Sequence, residues 1–493
     1  MNIEFIKAKN GEDSFTVDSI FFHSSYAPKK EAERFVQGID FSFNPKVIIL
    51  IEPGLSHTKE FLKQRFPDAK IGIIRILKEL KKDDNAWDFV IDYTTTDELY
   101  NAFTKIIEEE LLNTQVLCWP VSEKLFFDEI KNIWQSFKQS LEYAKTILIT
   151  RQYFEKKWII NSVNFFINAK NLYSLNKTKL PVVITASGPS LKNTLHILKE
   201  KRDYIFIAAL SSSLSVLLKQ NIIPDVCVST DGGFWATKHL KKLCTKNIPL
   251  LMSAEANVYK KVLEKNPIVP LNYDDGISNK LFEYLNYYSV KAKRNGTVSG
   301  TALDLFKNYT DTIYFCGLDL AVTKGYSHTQ PNELEIENSC FDTRINTKEK
   351  RISQGQFNTS SLKIYEDWFK AQSLQQKVYR VIDKEYKNNT LGQIKDISSS
   401  DFENQIKKEK KDVALTSEKI TIGAEDLKTI KQKILDFINK NADIDEWKKQ
   451  LFPLDFILTM HAKNDEERKL LIEKLNTKND KIIKKIKALI DAR

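Results

Sequence analysis

The stretch Val182-Val183-Ile184-Thr185-Ala186-Ser187-Gly188-Pro189-Ser190-Leu191 decides the fold. Its consecutive β-branched aliphatics, without polar alternation, read as a strand buried on both faces, the mark of a parallel sheet covered by helices. The Gly-Pro-Ser turn ends that strand. A helix follows from Leu191, with Ser190 expected as its N-cap. Gly188 allows close approach of a ligand to the backbone, and the N–H groups of a helix start favour a phosphate. The turn lacks the Gly-Lys-Ser/Thr of a Walker A loop and the spacing of a Gly-x-Gly-x-x-Gly fingerprint. Taken alone, it reads equally well as an ordinary strand-to-helix turn.

The same rhythm continues on both sides. Apolar runs at 204–209, 226–229, 249–252, 268–271 and 313–316 alternate with helical patterns of about ten residues, which predicts a mainly parallel, Rossmann-like sheet. Several strand ends carry small hydroxyl residues, glycines and acids: Ser187, Ser211, the run Thr230-Asp231-Gly232-Gly233, the run Asn295-Gly296-Thr297-Val298-Ser299-Gly300, and Gly317-Leu318-Asp319. Tyr326-Ser327-His328 follows the last of them. In a parallel sheet the carboxyl ends of the strands face one edge, so these tips are expected to form a nucleotide pocket. His328 is the expected general base, because imidazole titrates near neutrality; a surface histidine without function is the rival reading. Tyr326 is expected to hydrogen-bond a leaving phosphate. Asp231 is expected to act on substrate, since flexible glycines follow it. Asp319 either contacts the donor or holds the loop that bears His328.

Upstream, Val47-Ile48-Ile49-Leu50-Ile51 opens a second α/β series with runs at 71–76, 89–91 and 116–118, a helix at 28–37, a helix near 98–112, and Ser56 as an expected N-cap. Long amphipathic helices are expected over 121–175. Beyond Asp401 the chain becomes charged and nearly free of Gly and Pro, with Leu427, Ile430, Ile434 and Phe437 at helical spacing. The expected organisation is an N-terminal α/β domain at 1–140, a central Rossmann-like domain with leading helices at 141–400, and a C-terminal helical domain at 401–493. A chain of 493 residues exceeds what one core usually organises.

These motifs, in order, resemble the motility-associated factor (Maf) glycosyltransferases, which glycosylate flagellin. His23-Ser24-Ser25-Tyr26-Ala27-Pro28 with Glu31-Ala32 looks like the family's N-terminal signature, and Trp158-Ile159-Ile160-Asn161 with Asn164 like its pre-catalytic helix. Gly188-Pro189-Ser190-Leu191, Thr230-Asp231-Gly232, Gly296-Thr297-Val298, Gly317-Leu318-Asp319-Leu320-Ala321 with His328, and Phe357-Asn358-Thr359 with Tyr365 and Trp368-Phe369 follow in the family's sequence. The resemblance implies a central domain similar to bacterial sialyltransferases. It implies a CMP-activated nonulosonic (sialic-acid-like) donor, and flagellin Ser/Thr as acceptor in flagellum assembly and motility. Gly188, Pro189 and Ser190 are implied to hold the donor phosphate region, and Ser211, Asp231 and the 296–300 loop to contact nucleotide or sugar. No cofactor is required on that reading, and magnesium is compatible with it. Thr297 stands where serine is common, and Val381-Ile382-Asp383-Lys384 replaces a segment richer in Asn, Glu and Gly. The central motif also resembles archaeal 6-hydroxymethylpterin pyrophosphokinase, which implies ATP and magnesium. A flagellin-binding protein without catalysis is the third reading.

Composition limits the alternatives. The chain is 42% hydrophobic and 28% charged, with 75 basic against 65 acidic residues and a net charge of +10. That excess suits an anionic ligand, but the lysines are dispersed and no stacking motif for nucleic acid stands out. The five cysteines form no Cys-x-x-Cys pair, so neither a zinc site nor a disulfide framework is expected. With no signal-peptide core and no uninterrupted apolar run of about 18 residues, a cytoplasmic protein with no membrane span is expected.

Overall fold

The computed structural model describes residues 1–40, 43–106, 108–320, 326, 328–354, 360–387, 389–407, 419–420 and 427–491. Ser327, Ala321 and Phe357-Asn358-Thr359 lie outside the described residues. The chain divides into two compact units, one formed by 1–155 with 443–481 and the other by 156–442 with 482–493. A boundary at 140 therefore falls inside a continuous helix, Phe127–Asn168, whose sequence contains no Gly or Pro to interrupt it. The residues at 401–493 do not group as a third body but divide between the two units.

In the first unit, Val47–Ile51 is buried along its whole length. It lies between Lys70–Arg75 and Thr114–Cys118 in a parallel sheet that Phe89–Asp92 extends. Ser56 does not cap the next helix. It sits at φ +63 and accepts a hydrogen bond from Trp87 Nε1, while Thr58 occupies the cap position of Lys59–Arg65. The expected helix near 98–112 is two helices, Thr96–Phe103 and Glu108–Leu112. His23 is packed, not presented: it is buried, its Nε2 accepts from Leu55 N at 3.0 Å, and the Phe22 and Trp119 rings lie against it. Burial pushes its pKa down to about 3, so the ring is neutral. Glu52, Arg75 and Asp84 form a buried ion triad at the carboxyl edge of this sheet.

The second unit holds the larger sheet. Its strands are β1 (Leu172–Tyr173), β2 (Val182–Thr185), β3 (Phe206–Leu210), β4 (Val226–Ser229), β5 (Leu250–Ser253), β6 (Ile268–Asn272), β7 (Val290–Lys291), β8 (Thr312–Cys316), β9 (Lys377–Val381), β10 (Lys395–Ile397) and β11 (Lys419–Ile420). The order is β10-β9-β8-β2-β3-β4-β5-β6-β1-β11, with β7 also on β6, and every pairing except β11 on β1 is parallel. This is the expected Rossmann-like α/β fold. From β2 the chain builds outward through β3, β4, β5 and β6. It then returns to the other flank of β2 with β8, where Phe315 and Ala208 both register against Ile184. The direction of winding thus reverses at β2, and the crevice of an open α/β sheet opens at such a point. Apolar side chains seal both faces: Ile184, Phe206, Phe306 and Phe315 on one, Val183, Ile207, Leu217 and Tyr314 on the other. Each fully buried large side chain contributes about 1.5–3 kcal/mol.

Candidate functional site

The tips of β2 and β8 are knitted together beyond the strands. Ala186 N donates to Cys316 O at 2.8 Å, and Gly188 N donates to Gly317 O at 2.9 Å. The two glycines are required by this approach. A Cβ on Gly188 would stand 2.5 Å from Gly317 O and 2.7 Å from the Asp319 carboxylate. Gly317 adopts φ +81 with its own missing Cβ directed at Ala186 O, 2.6 Å away. Asp319 then closes the join: Oδ2 accepts from Ser190 N at 2.9 Å and Oδ1 from Ser190 Oγ. Burial raises the Asp319 pKa, and the two Ser190 hydrogen bonds offset part of the rise.

This arrangement corrects the expected role of Ser190. Its hydroxyl makes no N-cap bond to the helix Leu191–Glu200. It faces Asp319 and is 2% exposed, so the helix start is occupied by a carboxylate from the neighbouring strand tip.

The segment after β8 is docked on the Gly188 turn. Thr329 N donates to Ser187 O at 2.7 Å and Thr329 Oγ1 to Gly188 O at 2.6 Å. Asn332 Nδ2 donates to Ser212 O at 3.2 Å, while its Oδ1 caps the helix Glu333–Asn338 through Leu334 N. His328 is thereby held beside the turn. Between these parts lies a cavity of about 540 Å³ whose polar lining includes Ser187, Ser211, Ser212, Ser299, Asp319 and His328, with Gly188 and Pro189 in the wall. The His328 pKa is lowered, first by burial and then by the positive charge of His239. Both effects favour the neutral imidazole, in a cavity whose lining mixes the serines with Leu210, Val298, Leu318, Leu320, Leu334 and Leu362.

Other expected residues stand elsewhere. Thr297 Oγ1 is consumed as N-cap of Val298–Phe306, accepting from Gly300 N at 2.9 Å. Gly296 lies against the Tyr365 ring. Of that loop, Ser299 and Val298 reach the cavity. Asp231 is exposed and folds back on its own turn, its Oδ1 accepting from Gly233 N at 2.7 Å. Gly232 abuts Trp158, and Thr230 lies beside the Tyr273 hydroxyl. These belong to a cluster around Arg294, whose guanidinium lies 4.7 Å from the Trp158 ring centroid and 4.6 Å from that of Tyr273. Arg294 forks onto Glu255 at 2.7 and 2.9 Å and onto Asp275 at 2.6 and 3.0 Å. Tyr326 is beside Lys348, whose Nζ is 5.5 Å from its ring centroid, and is not among the lining residues. The strand tips therefore make two clusters rather than one rim, because β4 and β5 lead away from the β2–β8 join.

Sequence reading missed Thr329, Asn332, Ser212 and the pair His239–Glu333, in which Nδ1 and Oε2 are 2.8 Å apart. Thr329 could have been suspected from its place beside His328. Nothing in a linear pattern links His239 to a glutamate 94 positions away.

A parallel doubly wound sheet with a hydroxyl-lined crevice at its winding reversal is the class that fold and site define. Among solved structures the fold is that of the Maf glycosyltransferase from Magnetospirillum magneticum AMB-1. It aligns over 99% of this chain and 92% of that one, with a TM-score of 0.56 and 11% identity. The family model described as "6-hydroxymethylpterin diphosphokinase MptE-like" matches residues 156–325, beginning where the second unit begins. An uncharacterized protein of Treponema pallidum (strain Nichols) is 30% identical over 277 residues, 56% of this chain. The chain spans 61% of the length of that relative.

Proposed function

We propose that this chain is a glycosyltransferase that moves a nonulosonic sugar from a CMP-activated donor to a serine or threonine hydroxyl of flagellin. The observation that carries the reading is the β2–β8 cavity, whose lining brings together His328, Ser187, Ser211 and Ser299. The Maf glycosyltransferase fold, which extends over nearly the whole chain, supports it.

The chemistry follows from those groups. His328 takes the proton of the acceptor hydroxyl as its oxygen forms a bond to the anomeric carbon. The bond from that carbon to the phosphate oxygen breaks, and CMP leaves with the electron pair. Serine hydroxyls and the Gly188-Pro189 turn face the phosphate side. A lining with serine hydroxyls and one imidazole, and with no Lys or Arg among its described residues, suits a singly charged phosphodiester better than a triphosphate, which draws on cationic clamps. Asp319, the carboxylate in the lining, is committed to Ser190, so no metal is assigned a step. Tyr326, expected at the leaving phosphate, and Asp231, expected on substrate, do not line the cavity and are given no step. Cys227 and Cys316 are buried thiols with pKa pushed up to about 12 by burial. A reducing, cytoplasmic setting belongs to the same proposal, and no described helix is long and apolar enough to cross a membrane.

The match of residues 156–325 favours a second reading, ATP-dependent diphosphate transfer to a hydroxymethylpterin. One experiment separates them. Purified protein is incubated with flagellin and CMP-activated acid sugars, and intact mass is recorded. The expected result is a mass gain of one sugar per modified site with stoichiometric CMP. No gain with any such donor, together with ATP-dependent pterin modification, reverses the assignment.

A further inference from the structure

The first unit contains a cavity that the proposed transfer reaction does not use. From Val47–Ile51 the chain builds one flank of its sheet with Lys70–Arg75 and Phe89–Asp92, then returns to the other flank with Thr114–Cys118. Winding therefore reverses at Val47–Ile51, and the carboxyl end of such a strand is where an open α/β sheet offers a ligand crevice. The tip itself is packed by the chain's own residues. Leu55 N donates to His23 Nε2, a Cβ on Gly54 would stand 2.4 Å from the same nitrogen, and Trp119 Nε1 donates to Phe22 O at 3.1 Å. Residues of the segment 56–64 that continues from this tip line, together with Lys29, a cavity of about 570 Å³.

The lining is chemically one-sided. It holds the ammonium groups of Lys29, Lys59 and Lys63 against the single carboxylate of Glu60. Lys63 is shared with Ala69 O and Asp88, at 3.1 and 3.4 Å, whereas Lys29 and Lys59 make no ion pair among the described residues. Ser56 Oγ accepts from Trp87 Nε1, so its own proton is left to give. His57 Nε2 meets Asp13 O at 2.9 Å; a carbonyl only accepts, so Nε2 carries a proton and Nδ1 of the neutral ring offers its lone pair. Two buried groups in the same place have no hydrogen-bond partner. One is Thr58 Oγ1, between His57 and Lys59 in the chain; the other is His23 Nδ1, whose ring centroid lies 4.9 Å from that of His57. Thr58 is 1% exposed and His23 2%. Because His23 Nε2 accepts from Leu55 N, its Nδ1 is a buried donor. Buried polar atoms are nearly always satisfied, so two exceptions beside one cavity mark a place shaped for more than packing.

We propose that this cavity is a second ligand site, one that binds a small organic phosphomonoester. The phosphate takes Lys29, Lys59 and Lys63 as counter-charges and the Ser56 hydroxyl as donor, and His57 Nδ1 shares a proton with a phosphate oxygen. Lysine suits this role as a mobile point charge, and a phosphomonoester carries about two negative charges near neutrality, which matches the surplus of ammonium groups over Glu60. The volume lies within the range of small-molecule pockets, about 300–1,000 Å³, and leaves room for an organic body against Phe61.

The test needs no turnover. The full chain is labelled at its six histidines, and the His57 and His328 signals are assigned with His57→Asn and His328→Asn variants. Phenyl phosphate and inorganic phosphate are then titrated separately, at constant pH and ionic strength, and followed by NMR. Phenyl phosphate should move the His57 signal saturably with a dissociation constant of about 1 mM or tighter, and inorganic phosphate should bind about threefold more weakly or worse. Changing Lys29→Ala and Lys59→Ala together, neither of them buried, should raise that constant about tenfold or more. Should the pair fail to fold, Lys29→Ala alone is read in the same way. No saturable movement of His57, or movement indifferent to the lysine changes in a folded protein, overturns the proposal. Equal binding of inorganic phosphate overturns the organic ligand. The His328 signal reports the β2–β8 cavity in the same spectra, so movement there alone also counts against the site. The site shares no residue with the transfer reaction, so its result stands whether or not the chain transfers sugar.

Discussion

Replacing Gly188 by alanine tests the join on which the cavity depends. The added methyl would sit 2.5 Å from Gly317 O and 2.7 Å from Asp319 Oδ2. One obstacle is backbone and the other is a carboxylate held by two Ser190 hydrogen bonds, so neither can yield alone. Parting the tips removes the Gly188 N to Gly317 O bond, about 0.5–1.5 kcal/mol, and adds overpacking strain of about 1–3 kcal/mol. These terms are neighbours and do not simply add, so the expected loss is about 2–4 kcal/mol. The assay is urea denaturation of the full chain, with CMP-donor binding by calorimetry. Gly188→Ala should lower the midpoint of the transition of the second unit and weaken donor binding at least tenfold, because Ser187 and the Thr329 anchor move with the turn. A variant that unfolds within about 0.5 kcal/mol of the parent and binds donor equally well would refute the claim that these tips are locked.

Other outcomes follow from the same structure. His328→Ala should retain donor binding and slow transfer about a hundredfold or more, the usual scale for a lost general base; unchanged turnover removes His328 from the reaction. The His328 pKa lies below the ordinary 6.5, and a base works when unprotonated. Activity should therefore hold through neutral pH and fall only as pH drops through a midpoint under that value, measured as kcat/KM against pH. Gly317→Ala, at φ +81 and with Ala186 O only 2.6 Å from the new methyl, should cost at least as much stability as Gly188→Ala. In the first unit, Arg75→Ala leaves Glu52 and Asp84 buried without a counter-charge. A loss of about 3–5 kcal/mol is expected by chemical denaturation, and a loss under about 1 kcal/mol would show the triad to be open to water.

What the linear order revealed was the central strands of the two parallel sheets. Runs such as Val47–Ile51 and Val182–Thr185 announce themselves because burial on both faces demands continuous apolar residues. The strands Lys377–Val381 and Lys395–Ile397 on the β8 flank did not, since Arg380, Lys395 and Asp396 break the apolar run. Arg380 is nonetheless fully buried, satisfied by Asp396 and Asn389, a pairing that no local pattern announces.

The site was legible in parts. Ser187, Gly188, Pro189, Ser211, Ser299, Asp319 and His328 were found because each ends or follows a strand of a parallel sheet, and such ends share one edge. That rule fixes the edge but not the neighbour. Thr230, Asp231, Gly232, Gly296, Thr297 and Tyr326 obey it equally, yet the order in which strands lie side by side sends the first three toward Arg294 and Trp158.

The amino-acid sequence by itself determined which segments are buried strands, which turns need glycine, and which polar residues gather at the sheet's carboxyl edge, because these depend on local periodicity and backbone freedom. Only the tertiary structure decided that β8 returns beside β2, that Asp319 rather than a ligand holds Ser190, and that His239 meets Glu333. Those facts depend on contacts between residues more than a hundred positions apart or on opposite sides of a winding reversal, where hydrogen bonding and charge are settled by proximity in space and not by spacing along the chain.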